Sequence, residues 1–272
     1  MPVTLADVLA ITEELWPAAG AEAWDASGLV TGDLAASVSH IHLTVDAVLD
    51  TVDEAVELGA DLLLAHHPLL LRGVTTVAED RYKGAVIARL IRANCALLAA
   101  HTNADVVESG TSATMAASLG LTQLRPIVSS EVSSRGIGRV GVLVEPTTVG
   151  RLARHLGEIL PATAGGIRVS GDFDAPVSTV AICAGAGDSL LAESAVMAAD
   201  VYVTSDLRHH PASEFRENAR LNGGPALIDV SHWASEWLWL EVAAEQLRTA
   251  LGGVTVTVSD LRTDPWDFVV VQ

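Results

Sequence analysis

The sequence predicts an α/β protein whose core is a parallel or mixed β-sheet flanked by helices. Short apolar runs of strand length recur along the chain, and Ala-rich stretches with helical periodicity lie between most of them. The two kinds of segment alternate, and strands joined by helical crossovers pair in parallel. Together these observations indicate the α/β class.

Eight apolar runs predict buried strands. They span residues 40–45, 61–65, 95–100, 138–144, 178–183, 201–204, 226–230 and 254–258. Helical periodicity predicts helices over 47–58, 82–93, 111–119, 189–199 and 235–251, and a further helix from about 209 toward 221. The polar segment 122–135 contains Pro126, lacks apolar periodicity and is predicted to link two lobes.

The charge balance is strongly acidic. Of 272 residues, 16 are Lys or Arg and 34 are Asp or Glu, which gives a formal net charge of −18. Long-range repulsion from phosphate backbones and anionic lipid surfaces disfavours general nucleic-acid or membrane binding. Half of the residues are hydrophobic, yet no apolar stretch reaches the ~18 residues that a membrane span needs.

The cysteine content and the N-terminal residues both favour a cytoplasmic protein. Cys95 and Cys183 are isolated in apolar runs, a pattern that predicts buried, reduced thiols rather than a disulfide. Asp7, Glu13 and Glu14 interrupt the start of the chain, where a signal peptide would be basic and then apolar. We therefore expect a cytoplasmic protein.

Polar side chains follow four of the predicted strands at the point where each strand ends. They are His66 and His67, His101, Ser205 and Asp206, and His232. Ligands of open α/β sheets bind at the carboxyl ends of the strands. This placement predicts that these side chains form a functional site.

His66, His67 and Pro68 directly follow the second predicted strand. Neighbouring side chains on extended backbone point to opposite sides, so the two imidazoles suit two adjacent metals better than one. Pro68 disfavours helical backbone at His67, which preserves this divergence. Taken alone, such a pair is more often two hydrogen-bonded loop histidines than a metal site.

Two further groups offer carboxylates. Asp105 ends the run HTNAD that begins at His101, and His232 and Glu236 lie one turn apart on the same face of a predicted helix. Alone, Asp105 is more often a turn or capping residue. The His232–Glu236 pair is, by itself, about as often a surface ion pair as a metal-binding pair.

Considered together, these residues predict a site for two divalent cations. His67 and Asp105 are assigned to one cation. His66 and His232 are assigned to the other, with Glu236 as the bridge between them. Five ligands leave positions open for water or substrate, as catalytic sites require, and mixed nitrogen and oxygen ligands suit Zn, Mn, Fe, Co or Ni without choosing among them.

Five blocks stand in order along the chain. They are Trp24-Asp25-x-x-Gly28-Leu29, His66-His67-Pro68-Leu69, His101-Thr102-Asn103-x-Asp105, Thr204-Ser205-Asp206-Leu207-x-His209-His210 and Asp229-x-x-His232-x-x-Ser235-Glu236. Together they resemble the Nif-three-like dinuclear metal centre family, also known as GTP cyclohydrolase 1 type 2 homologues. The chain departs from the family pattern at Ala26 and Ser27, where Asn-Val is usual, and at Ser205, where Gly is usual.

This resemblance implies a fold, a metal site and an assembly. The two metals are implied to bind the residues matching the five ligands assigned above. The fold is implied to be two similar, intertwined α/β lobes with mixed sheets flanked by helices, the first of about residues 1–125 with 226–272 and the second of about 126–225. A homohexamer with its sites facing an internal cavity is also implied.

Other polar residues near the predicted site are candidates for proton transfer, substrate contact or the orientation of ligands. Besides the bridging Glu236, the catalytic candidates are Asp206 and His210, as groups for proton transfer or substrate contact, although a helix-start carboxylate and a surface histidine are commoner roles. We expect His101 to hydrogen-bond a ligand rather than bind metal. Asp229 is expected either to accept a ring N–H from a ligating histidine or to cap the helix.

Two glycine-containing segments are interpreted as loops. Asp25 and the Gly28-Leu29 pair are predicted to form a turn close to the site. The segment Gly185-Ala186-Gly187 resembles a phosphate-binding turn before a helix but lacks the spacing of a nucleotide-binding loop.

The leading functional hypothesis is a metal-dependent hydrolase acting on a small molecule. The resemblance suggests a nucleotide substrate and hydrolytic opening of the purine ring of GTP. A metallophosphoesterase acting on a small phosphorylated metabolite would use the same metals. The alternative from another class is a non-enzymatic, metal-binding hexameric scaffold or regulatory protein, which would need no exchangeable water.

Overall fold

The computed structural model describes residues 2–130 and 134–271. Contacts divide the chain into two compact units, each built from separate stretches of sequence. Unit 1 comprises Met1–Ala104 and Leu240–Thr263, and unit 2 comprises Asp105–Trp239 and Asp264–Gln272. The chain thus passes from the first unit to the second, returns, and ends in the second.

The helices and strands alternate along most of the chain. The helices are α1 (Leu5–Leu15), α2 (Leu49–Glu57), α3 (Tyr82–Arg92), α4 (Thr102–Asp105), α5 (Thr111–Ser118), α6 (Val149–Ile159), α7 (Ser194–Met197), α8 (His209–Asn222) and α9 (His232–Ala250). The strands are β1 (Gly28–Thr31), β2 (His40–Thr44), β3 (Leu62–Ala65), β4 (Ala96–Ala99), β5 (Leu121–Arg125), β6 (Val128–Ser129), β7 (Gly136–Ile137), β8 (Arg139–Thr148), β9 (Arg168–Ser170), β10 (Pro176–Ala186), β11 (Val201–Ser205), β12 (Ala226–Val230) and β13 (Thr255–Val258).

Unit 1 is a five-stranded mixed sheet in the order β1-β4-β3-β2-β13. Four strands are parallel, and β1 pairs antiparallel with β4 at the edge. Every residue of β3 and β4 is buried, as expected for parallel strands covered on both faces. Helices α2 and α3 pack on this sheet and contribute Val52, Val86 and Leu90 to its core.

Unit 2 contains a six-stranded mixed sheet in the order β5-β8-β10-β11-β12-β9. Its centre is the parallel set β10, β11 and β12, and β8 and β9 pair antiparallel on either side. Helices α5, α6 and α8 pack on this sheet. Tyr202, Val196 and Ala181 lie fully buried in its core.

The predicted α/β class with mixed sheets flanked by helices is confirmed, and each of the eight predicted strands is present. Helices α1, α4 and α6 were not predicted. The expected helix over 189–199 is confined to a 3₁₀ turn and the four residues of α7.

Two segments interpreted as loops are strands. Gly28-Leu29, expected as a turn, lies in β1, where its backbone pairs with Leu98 and Ala99 of β4. The segment expected as a linker, 122–135, overlaps β5 (Leu121–Arg125), which pairs with β8, and contains β6 (Val128–Ser129), which pairs with β7. Residues 131–133 of that segment lie outside the described part of the chain. Since α5 and β5 pack on β8, unit 2 begins at Asp105, upstream of the predicted lobe boundary near residue 125.

The sheets present the polar motifs at strand ends, as the sequence predicted. In unit 1, β3 ends just before His66 and His67, and β4 ends just before His101. In unit 2, β11 ends just before Asp206 and β12 just before His232. Among the described residues, no helix combines the length and apolar character that a membrane crossing requires.

Candidate metal centre

Three imidazoles meet in unit 1. His66, His67 and His101 each offer a ring nitrogen, and these atoms lie within 4.8 Å of one another. The ring centroid distances are 5.1 Å for His66–His67, 5.3 Å for His66–His101 and 5.5 Å for His67–His101. We call this trio the imidazole group; it results because β3 and β4 are parallel neighbours that end at the same sheet edge.

The hydrogen bonds of the imidazole group set the tautomer of each ring. The Nδ1 of His66 lies 2.8 Å from the Ala100 carbonyl oxygen, and the Nδ1 of His67 lies 2.7 Å from Oδ1 of Asp46. Both oxygens can only accept, so Nδ1 carries the proton and donates it. The lone pair of each neutral ring is therefore on Nε2, the arrangement in which histidine binds metals.

His101 has the same arrangement, with a buried carboxylate as its acceptor. Its Nδ1 lies 2.7 Å from Oδ1 of Asp25, whose side chain is fully buried. Burial opposes ionisation of Asp25, but hydrogen bonds from Thr102, His101 and Ser27 outweigh it and lower the pKa of that carboxyl. The structure thus places His101 inside the imidazole group, with Asp25 in the orienting role that the sequence reasoning gave to His101.

A second group, which we call the carboxylate group, lies in unit 2 and comprises Asp206, His232 and Glu236. His232 and Glu236 are one turn apart at the start of α9, with Nε2 of the histidine 3.0 Å from Oε1 of the glutamate. The Nδ1 of His232 lies 2.7 Å from Oδ2 of Asp206. Glu236 is only 3% exposed, so the expectation of a surface ion pair does not describe it.

The carboxylate group concentrates negative charge around one imidazole. Burial opposes protonation of His232, but Glu236 and Asp206 outweigh it and hold its pKa well above the usual value. Burial, together with the charges of Asp105 and Glu236, raises the pKa of the Cys183 thiol to about 12. The carboxylates of Asp105 and Glu236 are therefore both close to Cys183, and a cation there would relieve their repulsion.

The backbone at Gly185 forms a wall of the carboxylate group. This residue has φ +71°, and a Cβ built on it would lie 2.3 Å from Oε1 of Glu236 and 3.3 Å from Nε2 of His232. Its N–H donates to Oγ of Ser235, which in turn donates to the carbonyl oxygen of His232. Only glycine combines this backbone conformation with so close an approach to the carboxylate.

Asp105 is positioned by a hydrogen bond and a nearby charge from other residues of unit 2. Oγ1 of Thr111 donates to Oδ1 of Asp105 at 2.5 Å. The guanidinium of Arg139 is buried and donates to the carbonyl oxygens of Gly136, Gly138 and Val107. Burial lowers the pKa of Arg139 against the opposing charges of Glu108 and Asp105, so the arginine contributes positive charge near these carboxylates.

The remaining predicted site residues are placed differently from one another. Oδ2 of Asp206 accepts a hydrogen bond from Nδ1 of His232. The sequence reasoning had considered this role for Asp229. Asp229 is ion-paired instead with Arg168. His210 is exposed at the start of α8, and its ring contacts that of His209 at 5.2 Å.

The substitution of serine for the usual glycine at position 205 fits the local backbone. Ser205 is a buried strand residue at the end of β11, and the left-handed conformation falls on the next residue, Asp206, with φ +57°. Aspartate tolerates this conformation better than most residues. Position 205 therefore does not require the conformational freedom of glycine.

The residues of both groups fit divalent cations on chemical grounds. In His66, His67 and His101, hydrogen bonds fix the proton on Nδ1 and leave the lone pair on Nε2. In the carboxylate group, the side chains of Asp206 and Glu236 both contact His232, and the backbone of Gly185 lies close to Glu236 and His232. Imidazole nitrogens and carboxylate oxygens, without a thiolate among them, suit the mixed-ligand divalent metals.

The hydrogen bond from His67 to Asp46 provides a first test of this interpretation. We expect Asp46→Asn to weaken metal binding by about 10- to 100-fold, because the acceptor that orients the ring loses its charge. The control is Asp53→Asn on α2, which removes an exposed carboxylate that pairs with Arg89 of α3. This variant should leave metal binding unchanged. Isothermal titration of both variants with Zn²⁺ or Mn²⁺ measures the difference, and equal affinities would contradict the role given to Asp46.

The fold and the two groups define an α/β protein with histidine- and carboxylate-rich strand ends suited to metal binding. The family model described as DUF34/NIF3 (NGG1p interacting factor 3) matches residues 3–265. The chain therefore belongs to the DUF34/NIF3 family.

Curated relatives and solved structures agree with this membership. A "GTP cyclohydrolase 1 type 2 homolog" of Streptomyces coelicolor is 48% identical over 269 residues, covering 96% of this chain and 93% of the relative. One of the same name from Mycobacterium leprae is 33% identical and covers 98% of this chain and 96% of that relative. The crystal structure of Staphylococcus aureus hypothetical protein SA1388 superposes with a TM-score of 0.89 at 25% identity, covering 99% of this chain and 100% of that one. The Bacillus cereus protein related to NIF3 gives the same TM-score at 23% identity, covers the same shares of the two chains and supports the fold alone.

Proposed function

We propose that this protein is a metal-dependent hydrolase with a dinuclear divalent metal centre. The five proposed ligands are those assigned from the sequence. His67 and Asp105 hold one cation, His66 and His232 hold the other, and Glu236 bridges them.

The shared hydrogen-bond pattern of the histidines carries the proposal. Three rings of the imidazole group direct Nδ1–H at a carbonyl or carboxylate oxygen, and His232 directs Nδ1 at Asp206 in the same way. A surface histidine needs no such partner, whereas a metal-binding histidine almost always has one. The three rings of the imidazole group therefore support metal binding at Nε2, whereas Nε2 of His232 faces the Glu236 carboxylate, with which it would share a cation.

The polar side chains have separable roles in hydrolysis. Bound cations lower the pKa of a coordinated water toward about 7 and polarise a substrate oxygen. Asp46 and Asp206 orient the rings of His67 and His232, and Asp25 orients His101. His101 is well placed to move a proton or to act as an additional ligand, because it shares the imidazole group with His66 and His67. His210, exposed on α8, remains a proposed proton-transfer group for a bound substrate.

The substrate that we propose first is a nucleotide. The relatives bear the name GTP cyclohydrolase 1 type 2 homolog. In hydrolytic opening of a purine ring, one water adds to the imidazole carbon and breaks one of its C–N bonds, and a second water breaks the other and releases that carbon as formate. We also propose the homohexamer implied by the family resemblance. Trp266, Phe268 and Val269–Val271 are exposed on the single chain, and another copy would bury this apolar segment.

The activity is tested by stripping and reloading the purified full chain. Protein dialysed against a chelator is reloaded with Mn²⁺, Zn²⁺, Fe²⁺, Co²⁺ or Ni²⁺ and assayed for formate release from GTP and for phosphate release from a panel of phosphomonoesters. We expect turnover with at least one metal and a loss of about 1,000-fold or more in the stripped protein, because the metals supply several kcal/mol of transition-state stabilisation. Turnover that survives metal removal would refute the mechanism, and no turnover with any metal would favour the scaffold hypothesis.

A further inference from the structure

An open cleft of about 400 Å³ lies in unit 2 between edge strand β9 and helix α8. Its polar lining consists of Arg168, Ser170, His209, Ser213, Arg216 and Asp229. Positions 209, 213 and 216 are spaced by four and three residues, so they share one face of α8. On the strand side, Arg168 and Asp229 are direct cross-strand partners of β9 and β12.

The cleft contains the Arg168–Asp229 ion pair and a second arginine, Arg216, in a protein that is strongly acidic. Several arginines elsewhere are paired with carboxylates, such as Arg89 with Asp53 and Arg92 with Glu79. Arg216, by contrast, has no carboxylate partner within residues 2–130 and 134–271. Its guanidinium is therefore available to an anion, and the positive end of α8, which begins at His209, adds to the same potential.

Asp229 adds an acceptor to this cleft. The residue is only 7% exposed, and Oδ2 accepts from Arg168. Its Oδ1 is buried, and no donor in the described part of the chain meets hydrogen-bond geometry with it, although the backbone N–H of Leu207 faces the same carboxylate and lowers its pKa. A buried carboxylate oxygen without a donor is costly, so a ligand that supplies an N–H or O–H at this point would be stabilised.

An adjoining cavity of about 320 Å³ extends the cleft along α8. The two share Ser170, Arg216 and Leu227, and the ring of Phe215 lines the extension. Arg216 therefore lies where the cleft and the adjoining cavity meet. Polar side chains line the cleft, and Phe215 lines the adjoining cavity. This groove has room for a small metabolite larger than phosphate alone.

We propose that this groove binds a small phosphomonoester, with its phosphate on Arg216 and Arg168 and a hydroxyl or amine group donating to Oδ1 of Asp229. Arginine pairs with phosphate oxygens through two parallel N–H donors, and Ser213 offers a hydroxyl beside it. The groove is thus a binding site separate from the metal ligands.

The groove borders the carboxylate group along the chain. Two of its lining residues are close in sequence to members of that group. Leu207 directly follows Asp206, and Asp229 precedes His232 by three residues. β11 and β12 are parallel neighbours, so these positions lie at one end of the sheet. A ligand anchored here would reach toward His232, and the groove therefore supplies the substrate class, a phosphorylated metabolite, an assignment that rests on the proposed hydrolase function.

Direct binding measurements test the groove apart from turnover. The metal-loaded full chain is titrated calorimetrically with inorganic phosphate, ribose 5-phosphate, GMP and unphosphorylated ribose. We expect ribose 5-phosphate or GMP to bind more tightly than phosphate, and ribose not to bind. Arg216→Ala should weaken phosphomonoester binding at least about tenfold, because a charge-assisted contact is lost. Arg151→Ala removes the same charge from the exposed face of α6 and should have no such effect.

The outcomes separate this inference from the proposed function. Equal affinities for inorganic phosphate and the phosphomonoesters, or equal losses in the Arg216 and Arg151 variants, would overturn the groove assignment. Metal-dependent turnover with a KM that Arg216→Ala leaves unchanged would also overturn it, while the hydrolase proposal would stand. Arg216-dependent binding without turnover would support the groove as a binding site and count against the hydrolase.

Discussion

Replacing Glu236 with glutamine is expected to lower metal affinity by at least about 100-fold and hydrolytic turnover by about 1,000-fold. The carboxylate is 3% exposed, lies 3.0 Å from Nε2 of His232 and is proposed to bridge the two cations. Changing an orienting residue costs about 10- to 100-fold in metal affinity, and a direct ligand should cost more. Glutamine keeps the size of the side chain but removes the charge, so the loss reports ligation rather than packing.

The control for this variant is Glu241→Gln. Glu241 is exposed on the same helix, α9, and pairs with Arg248. Both substitutions change the net charge equally, and exposed ion pairs contribute little to stability. Metal content after saturation and desalting, together with the rate on the best substrate, compares the two. Full metal content and unchanged turnover in Glu236→Gln would eliminate the bridging role.

Gly185→Ala is expected to produce the second large effect. The new Cβ would lie 2.3 Å from Oε1 of Glu236, so the carboxylate or the backbone must shift. Left-handed backbone costs an L-residue about 1–2 kcal/mol, and the overlap adds a cost of about 1–3 kcal/mol. Because the displaced atom is a proposed metal-binding oxygen, metal affinity should fall together with the free energy of unfolding.

Gly120→Ala is a matched control for backbone strain. Gly120 has φ +68°, close to the +71° of Gly185, but an added Cβ there meets nothing within 4 Å. Both glycines lie in unit 2. Urea unfolding and a Zn²⁺ titration of the two variants separate the effects. A loss of stability in both but of metal binding only in Gly185→Ala is predicted, and equal metal binding in both would refute the steric argument.

Eight strands were predictable because each contains a short, mainly apolar run, whereas β1, β5, β6, β7 and β9 were not predicted. Residues 62–65 and 96–99 are buried on both sides, and no other arrangement suits such sequences in an alternating α/β chain. Strand β5 was missed because four of its five residues are exposed, so its sequence carries no apolar periodicity. Its position is set by pairing with β8, a long-range contact that local sequence does not encode.

The sequence predicted those residues of the site that belong to recognisable motifs at strand ends. The His66-His67 pair and the i, i+4 spacing of His232 and Glu236 are visible in sequence. The acceptors that orient the rings are less visible: Asp46 and Asp25 lie 21 and 76 residues from their histidines. The Trp24-Asp25 block was a usable signal for Asp25, but an isolated aspartate such as Asp46 offers none.

Gly185 shows how a correct observation can receive the wrong interpretation. The glycines after the predicted strand resembled a phosphate-binding turn but lacked the spacing of a nucleotide-binding loop. In the structure Gly185 lies within β10, and Glu236 and His232 lie against its backbone, so the absent side chain makes room for a carboxylate of the protein itself. The glycine was visible in the sequence, but the group that approaches it was not.

The central claim is the proposal that His66, His67, Asp105, His232 and Glu236 hold two cations in one centre. Anomalous diffraction from crystals of the Mn²⁺- or Zn²⁺-loaded protein tests it most directly. The account predicts two peaks per chain about 3.5–4 Å apart, with Glu236 contacting both. His67 and Asp105 should contact one, and His66 and His232 the other. A single peak, or two distant peaks that do not share Glu236, would contradict it.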